Sequence, residues 1–84
     1  MQDEHLIATI IDTARTTFKQ PQLNYDDNLV FRDIRGFDSV LAIQFILAIE
    51  AALDVMLTEQ EVDRMDRMGD LLAVLRVKAG TGER

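Results

Sequence analysis

The chain contains no cysteine, no tryptophan, one proline, one histidine and, in 84 residues, a single serine. Without cysteine there is no disulfide framework, no thiol catalysis and no Cys-ligated zinc. Acyl transfer through serine needs a positioned base. The sole histidine, His5, lies near the N-terminus, where it reads as an exposed first-turn residue. The nucleophile-elbow pattern Gly-x-Ser-x-Gly is absent, as are a glycine-rich phosphate loop and a His-rich metal cluster. These gaps point away from an enzyme and away from a metal site. Positive charge is also scarce: 9 basic against 15 acidic residues leave a net charge of −6. That balance argues against DNA, RNA or an anionic membrane as the main partner. The longest apolar run, residues 40–53, is too short to span a bilayer and is interrupted by polar residues. No basic segment followed by an apolar one opens the chain, so no signal peptide is expected, and a soluble cytoplasmic monomer is the default.

Eighty-four residues, 48% of them hydrophobic, make one folded domain rather than a disordered segment. Such a domain buries somewhat over ~60% of its unfolded surface, and its expected stability is on the order of 4–13 kcal/mol. Leu6, Ile7, Ile10, Ile11, Ala14 and Phe18 recur at helical spacing and predict a first helix from about residue 3 to 19. Pro21 and Asn24-Tyr25-Asp26-Asp27-Asn28 break that pattern, and a long loop runs to about Asp38, pinned by Leu29, Phe31, Ile34 and Phe37. A second helix is expected over 39–53. Thr58-Glu59-Gln60-Glu61 fits a capping box and starts a short third helix carrying Val62 and Met65. Asp66 is a candidate cap for a fourth helix whose buried stripe is Met68, Leu71, Leu72 and Leu75, with Gly80 as its stop. No strand pattern survives. The expected fold is all-α: a small four-helix bundle with a long first loop and a short third helix, with residues 1–80 as the domain and 81–84 as a flexible tail.

The lone Ser39 stands in Gly36-Phe37-Asp38-Ser39-Val40, where the loop gives way to the apolar helix. Asp and Ser favour helix N-caps because their oxygens accept free backbone N–H groups. The hydroxyl therefore sits at the positive end of a helix dipole, which favours bound or attached phosphate. The plain alternative is a cap and nothing more. The helix that follows has two apolar stripes. Leu41, Ala42, Phe45, Ile46, Ile49 and Leu53 fall on one side; Val40, Ile43 and Leu47 lie on the other, beginning next to Ser39. Either the helix is buried all round, or one stripe builds the core and the other is a docking surface beside the serine.

The order Leu29, Phe31, Asp33-Ile34, Gly36-Phe37-Asp38-Ser39-Val40 and an apolar helix resembles the acyl carrier proteins. The match is strongest from Leu29 to Leu53, with weaker agreement in length and helix order over nearly the whole chain. In that family the serine of an Asp-Ser-Leu motif carries 4′-phosphopantetheine through a phosphodiester; here Val40 stands in place of the leucine. The resemblance implies covalent 4′-phosphopantetheine on Ser39, with Asp38 capping the helix and helping a phosphopantetheinyl transferase recognise the site. It implies an acyl or aminoacyl thioester as cargo, loading and condensing enzymes as partners, and a role in lipid or secondary-metabolite biosynthesis. Val40, Ile43 and Leu47 would be the partner surface. It further implies a deformable acyl pocket between the second and third helices, with Met56, Val62 and Met65 as candidates; an ordinary core is the plain reading of these residues. The family's serine-bearing helix is usually acidic on its outer face. Here Leu41 and Gln44 occupy outer-turn positions where acids are common, and Glu50 is the only acid between Ser39 and Leu53. That departure points to a specialised stand-alone carrier with its own partner set.

Two further patterns carry less. Asn24-x-Asp26-x-Asn28 superficially matches the start of a calcium loop, but the sixth and twelfth positions are Leu29 and Arg35 where glycine and glutamate are needed. A hydrogen-bonded turn is expected instead. Glu59, Glu61, Asp63, Asp66 and Asp70, interleaved with Arg64 and Arg67, read as a solvated face, and Arg32 and Arg35 as solvated charges. The rival to a carrier is a small helical protein-interaction module without a prosthetic group. It accounts for the two stripes equally well but not for the placement of the only serine.

Overall fold

The computed structural model describes residues 2–82 and contains four α-helices: α1 (Gln2–Phe18), α2 (Ser39–Leu53), α3 (Glu59–Asp63) and α4 (Met68–Gly82). A single 3-10 turn, Phe31–Asp33, interrupts the long α1–α2 loop. The all-α bundle expected from the helical periodicities is the fold observed. Helix α1 packs against both α2 and α4. Its stripe Leu6, Ile10, Ile11, Ala14 and Phe18 meets Phe45 and Ile49 of α2 and Met68, Leu71, Leu72 and Leu75 of α4. No polar or charged residue is buried among the described residues, so the hydrophobic effect acts on this core without a desolvation penalty.

The long loop is held at three places. Arg15 donates its Nε–H to the Leu23 carbonyl at 2.6 Å, which fixes the exit from α1. The Asp26–Asn28 turn closes on itself, with the Asn28 N–H donating to Asp26 Oδ1 at 2.9 Å. Phe31 and Ile34 are buried in the core. Between these points the loop lies across the start of α4. The Met68 N–H donates to the Leu29 carbonyl at 2.9 Å, the Gly69 N–H to the Asp27 carbonyl at 3.0 Å, and the Phe31 N–H to the Asp66 carbonyl at 2.8 Å. The loop thus supplies acceptors for donors that a helix N-terminus otherwise leaves unsatisfied. Val30 and Arg67 form an isolated antiparallel bridge there.

Three local expectations are corrected. Asp66 does not cap α4 with its side chain. Asp70, inside the first turn, reaches back instead, and its Oδ2 accepts the N–H groups of Asp66 and Arg67, each at 3.0 Å. Gly80 does not stop α4, which continues to Gly82. An interior glycine costs a helix only about 1 kcal/mol relative to alanine and so weakens it without ending it. Helix α4 thus takes in residues 81–82 of the tail expected at 81–84, and residues 83–84 lie outside the described residues. The capping box of α3 forms as expected: Glu61 N–H donates to Thr58 Oγ1 at 3.1 Å, and Thr58 N–H to Glu61 Oε1 at 2.9 Å. Lys78 of α4 pairs with that same Glu61 carboxylate at 3.0 Å and ties the short helix to the bundle.

Candidate functional site

Asp38 adopts an extended conformation at the N-cap of α2, and its Oδ1 accepts the Leu41 N–H at 2.8 Å. Its carbonyl accepts the Ala42 N–H at 2.9 Å, the first bond of the helical ladder. Ser39 is the first residue of α2 and is exposed. Among the described residues nothing hydrogen-bonds the Ser39 hydroxyl, and the Ser39 and Val40 N–H groups also have no partner. The first turn of α2 carries no acidic residue. The hydroxyl therefore stands at the positive end of the helix beside free donors, an arrangement suited to an attached phosphate.

The preceding loop sets this position. Gly36 takes φ +86°, and a Cβ there would lie 3.3 Å from the Phe18 carbonyl oxygen. Only glycine enters that left-handed region freely. The turn carries Phe37 back onto the bundle, where its ring stacks on Phe18 with centroids 5.8 Å apart. Phe37 also donates its N–H to the Ile34 carbonyl at 3.0 Å. With one residue anchored inward, the next two, Asp38 and Ser39, emerge at the surface.

Helix α2 divides its two stripes between core and solvent. Phe45 is 2% and Ile49 0% exposed, and Leu41, Ile46 and Leu53 pack partly buried against the core. Val40, Ile43 and Leu47 are 64%, 62% and 59% exposed. A helix buried all round is thereby excluded. The same four-residue recurrence that lines up the core side brings Val40, Ile43 and Leu47 into one apolar strip running away from Ser39.

Two hollows flank α2. The outer one, about 490 Å³, lies between α2 and α3 and is lined by Ile43, Ile46, Leu47, Leu57, Val62 and Asp63 among others. The inner one, about 210 Å³, is walled by Phe18, Phe31, Phe37 and Phe45 with Ile46, Val62 and Met65. Ala42, Ile46, Val62 and Asp63 line both, so the two adjoin across α2 and α3. Of the expected pocket candidates, Val62 is a lining residue of both hollows and Met65 of the inner one. Met56 is a lining residue of neither: it is 78% exposed. Burial alternates along the connector after α2. Val55 and Leu57 turn inward, which leaves Met56 outward. Sequence reasoning also missed the aromatic wall. The available signal was that all four phenylalanines of the chain fall between residues 18 and 45. Arg32, expected to be solvated, is exposed yet lies on the rim of the inner hollow with Asp63 and Asp66.

Glu50, the one acid of α2, is half-buried and engaged within the chain. Its Oε2 accepts the Leu57 N–H at 2.7 Å. No helix among the described residues is long and apolar enough to cross a membrane. No family model, curated protein or solved structure matches the chain.

Proposed function

We propose that this chain is a carrier protein that holds an acyl or aminoacyl group as a thioester on 4′-phosphopantetheine attached to Ser39. The observation that carries the reading is the exposed, unengaged Ser39 hydroxyl at the start of α2, directly after its capping aspartate and beside an exposed apolar strip. Attachment joins Ser39 Oγ to the pantetheine-side phosphorus of coenzyme A. The pyrophosphate P–O bond breaks, adenosine 3′,5′-bisphosphate leaves, and the seryl proton passes to a base on the transferase. This chain's part is to present the hydroxyl: no base on it is required. The free N–H groups at the helix start accommodate the added negative charge. The tether's terminal thiol would carry the cargo.

A tethered cargo reaches each partner's active site at a high effective concentration, which is the physical advantage of a carrier. Val40, Ile43 and Leu47 supply an apolar contact surface for those partners, chiefly the transferase and the loading and condensing enzymes. An interaction module without a prosthetic group would use the same strip, so the strip alone does not separate the two readings; modification of Ser39 would. The deciding experiment is intact mass after incubation with coenzyme A and a broad-specificity phosphopantetheinyl transferase. The wild type should gain one phosphopantetheine and Ser39→Ala none, with the Ala variant still folded, since Ser39 is exposed and the cap of α2 is made by Asp38. A wild type that stays unmodified, or an Ala variant that gains the group, overturns the proposal.

A further inference from the structure

Resting on the carrier reading, we infer that the cargo ends in a single aromatic ring, held in the inner hollow between the four phenylalanines and α3. Interiors are close-packed, and voids larger than a water are few. The inner hollow, about 210 Å³, reaches from an exposed rim down to the buried phenylalanines and has room for an occupant. An apolar cavity of about 150 Å³ is enough to take up benzene. The hollow here has room for a ring and the thioester carbonyl that would follow it. At roughly 30 Å³ per water-sized unit it takes about seven such units, the scale of a benzoyl group and well short of a long fatty acyl chain.

The walls agree with that size. Phe18 and Phe45 have centroids 5.7 Å apart, and Phe31 and Phe45 5.4 Å, both pairs tilted. Phe18 and Phe37 stack at 5.8 Å. Aromatic pairs favour centroid separations of about 4.5–7 Å in offset or tilted geometry, so a further ring entering beside this group gains contacts that an alkyl chain does not. Phe18, Phe31 and Phe45 are buried and form the floor; Arg32, Asp63 and Asp66 are exposed and form a polar mouth. A longer chain would have to continue into the outer hollow. That space is lined mostly by apolar residues, Ile43 and Leu47 among them, but it is more open to solvent than the inner hollow and shelters an alkyl chain less.

The test has two arms. In the first, the transferase loads the chain from benzoyl-, octanoyl- and palmitoyl-coenzyme A, intact mass verifies each product, and thermal melts compare them with the unacylated holo form. Benzoyl loading should raise Tm by roughly 5 °C, with the alkyl groups giving less. Ala42→Leu, which fills the hollow from α2, should load equally and lose the benzoyl increment; Met65→Phe serves from the α3 side if Ala42→Leu does not fold. Palmitoyl stabilising as much as benzoyl, or benzoyl giving no increment, overturns the inference. The second arm titrates the unmodified chain with free methyl benzoate and methyl octanoate and follows the phenylalanine ring signals by NMR. Saturable shifts with the benzoate alone support the hollow as a ring site, and their absence, or equal shifts with the octanoate, overturns it. Failure of Ser39 to accept any group sinks the carrier reading, and the second arm still decides what the hollow binds.

Discussion

The Glu50 carboxylate accepts the Leu57 amide at 2.7 Å, while the Glu50 carbonyl accepts the amides of Asp54 and Val55. One residue thus closes the end of α2 and holds the connector that leads to α3. Leu57, held in this way, lines the outer hollow. Glu50→Ala should cost about 1.5–3 kcal/mol, the usual range for a hydrogen bond to a charged group. Chemical denaturation measures the loss, and hydrogen exchange at the Leu57 amide should speed up in the variant. Unchanged exchange there would show that the connector is held by something else.

The two stripes of α2 should separate cleanly by mutation. Phe45→Ala and Ile49→Ala remove fully buried side chains and should cost ~2–5 kcal/mol each. Ile43→Ala and Leu47→Ala remove exposed ones and should stay within about 0.5 kcal/mol while weakening partner binding. Thermal melts together with a transferase binding assay check both halves; equal destabilisation by Ile43→Ala and Phe45→Ala would contradict the assignment.

Gly69 permits the close contact between the loop and α4. A Cβ there would meet the Asp27 carbonyl oxygen at 2.9 Å, which is backbone and has little freedom to move. Gly69→Ala should therefore destabilise the fold, although alanine is by about 1 kcal/mol the better helix former. Equilibrium unfolding gives the sign: a more stable Ala variant would mean that the loop yields at no cost.

Tyr25 donates its hydroxyl to Asp27 Oδ1, and its pKa is raised, first by burial and then by that hydrogen bond and the carboxylate's charge. The native state thus holds the phenolic proton more tightly than the unfolded chain does. This contribution to stability is fully present below the ordinary tyrosine value of about 10 and is lost as pH rises above it. Tyr25 is the only tyrosine and there is no tryptophan, so phenolate absorbance reports this group alone. The native titration should lie above that of the denatured chain, and Asp27→Asn should lower it; coincident native and denatured curves would contradict the assignment.

Docking through α2 should depend little on salt. Its exposed strip is apolar, its first turn has no acid, Glu50 is engaged with Leu57, and the exposed acids beside the strip, Glu59 and Asp63, belong to α3. Apolar contacts are scarcely screened, whereas steering between exposed charges is. Transfer from the loaded carrier to its cognate enzyme should hold between low and high salt. Efficient transfer to a housekeeping ketosynthase that collapses with added salt would show that acids on α3 provide an electrostatic docking face after all.

Local chemistry in the sequence was enough to determine the helices, their caps at Asp38 and Thr58, and the division of α2 into two stripes, because 3.6-residue periodicity and capping act between near neighbours. Which stripe faces water was decided only by packing: Phe45 and Ile49 meet the core of α1 and the loop, while among the described residues Val40, Ile43 and Leu47 stay exposed. The same holds for the start of α4, where the loop carbonyls of Asp27 and Leu29, some forty residues away, accept the helix's first amides. Met56 and the aromatic hollow belong to this class as well. The side a connector residue faces depends on how both its ends are anchored, and a space exists only where several distant segments stop short of one another. Phe18, Phe31, Phe37 and Phe45 each read as ordinary core in the sequence; the tertiary fold brought them around one opening.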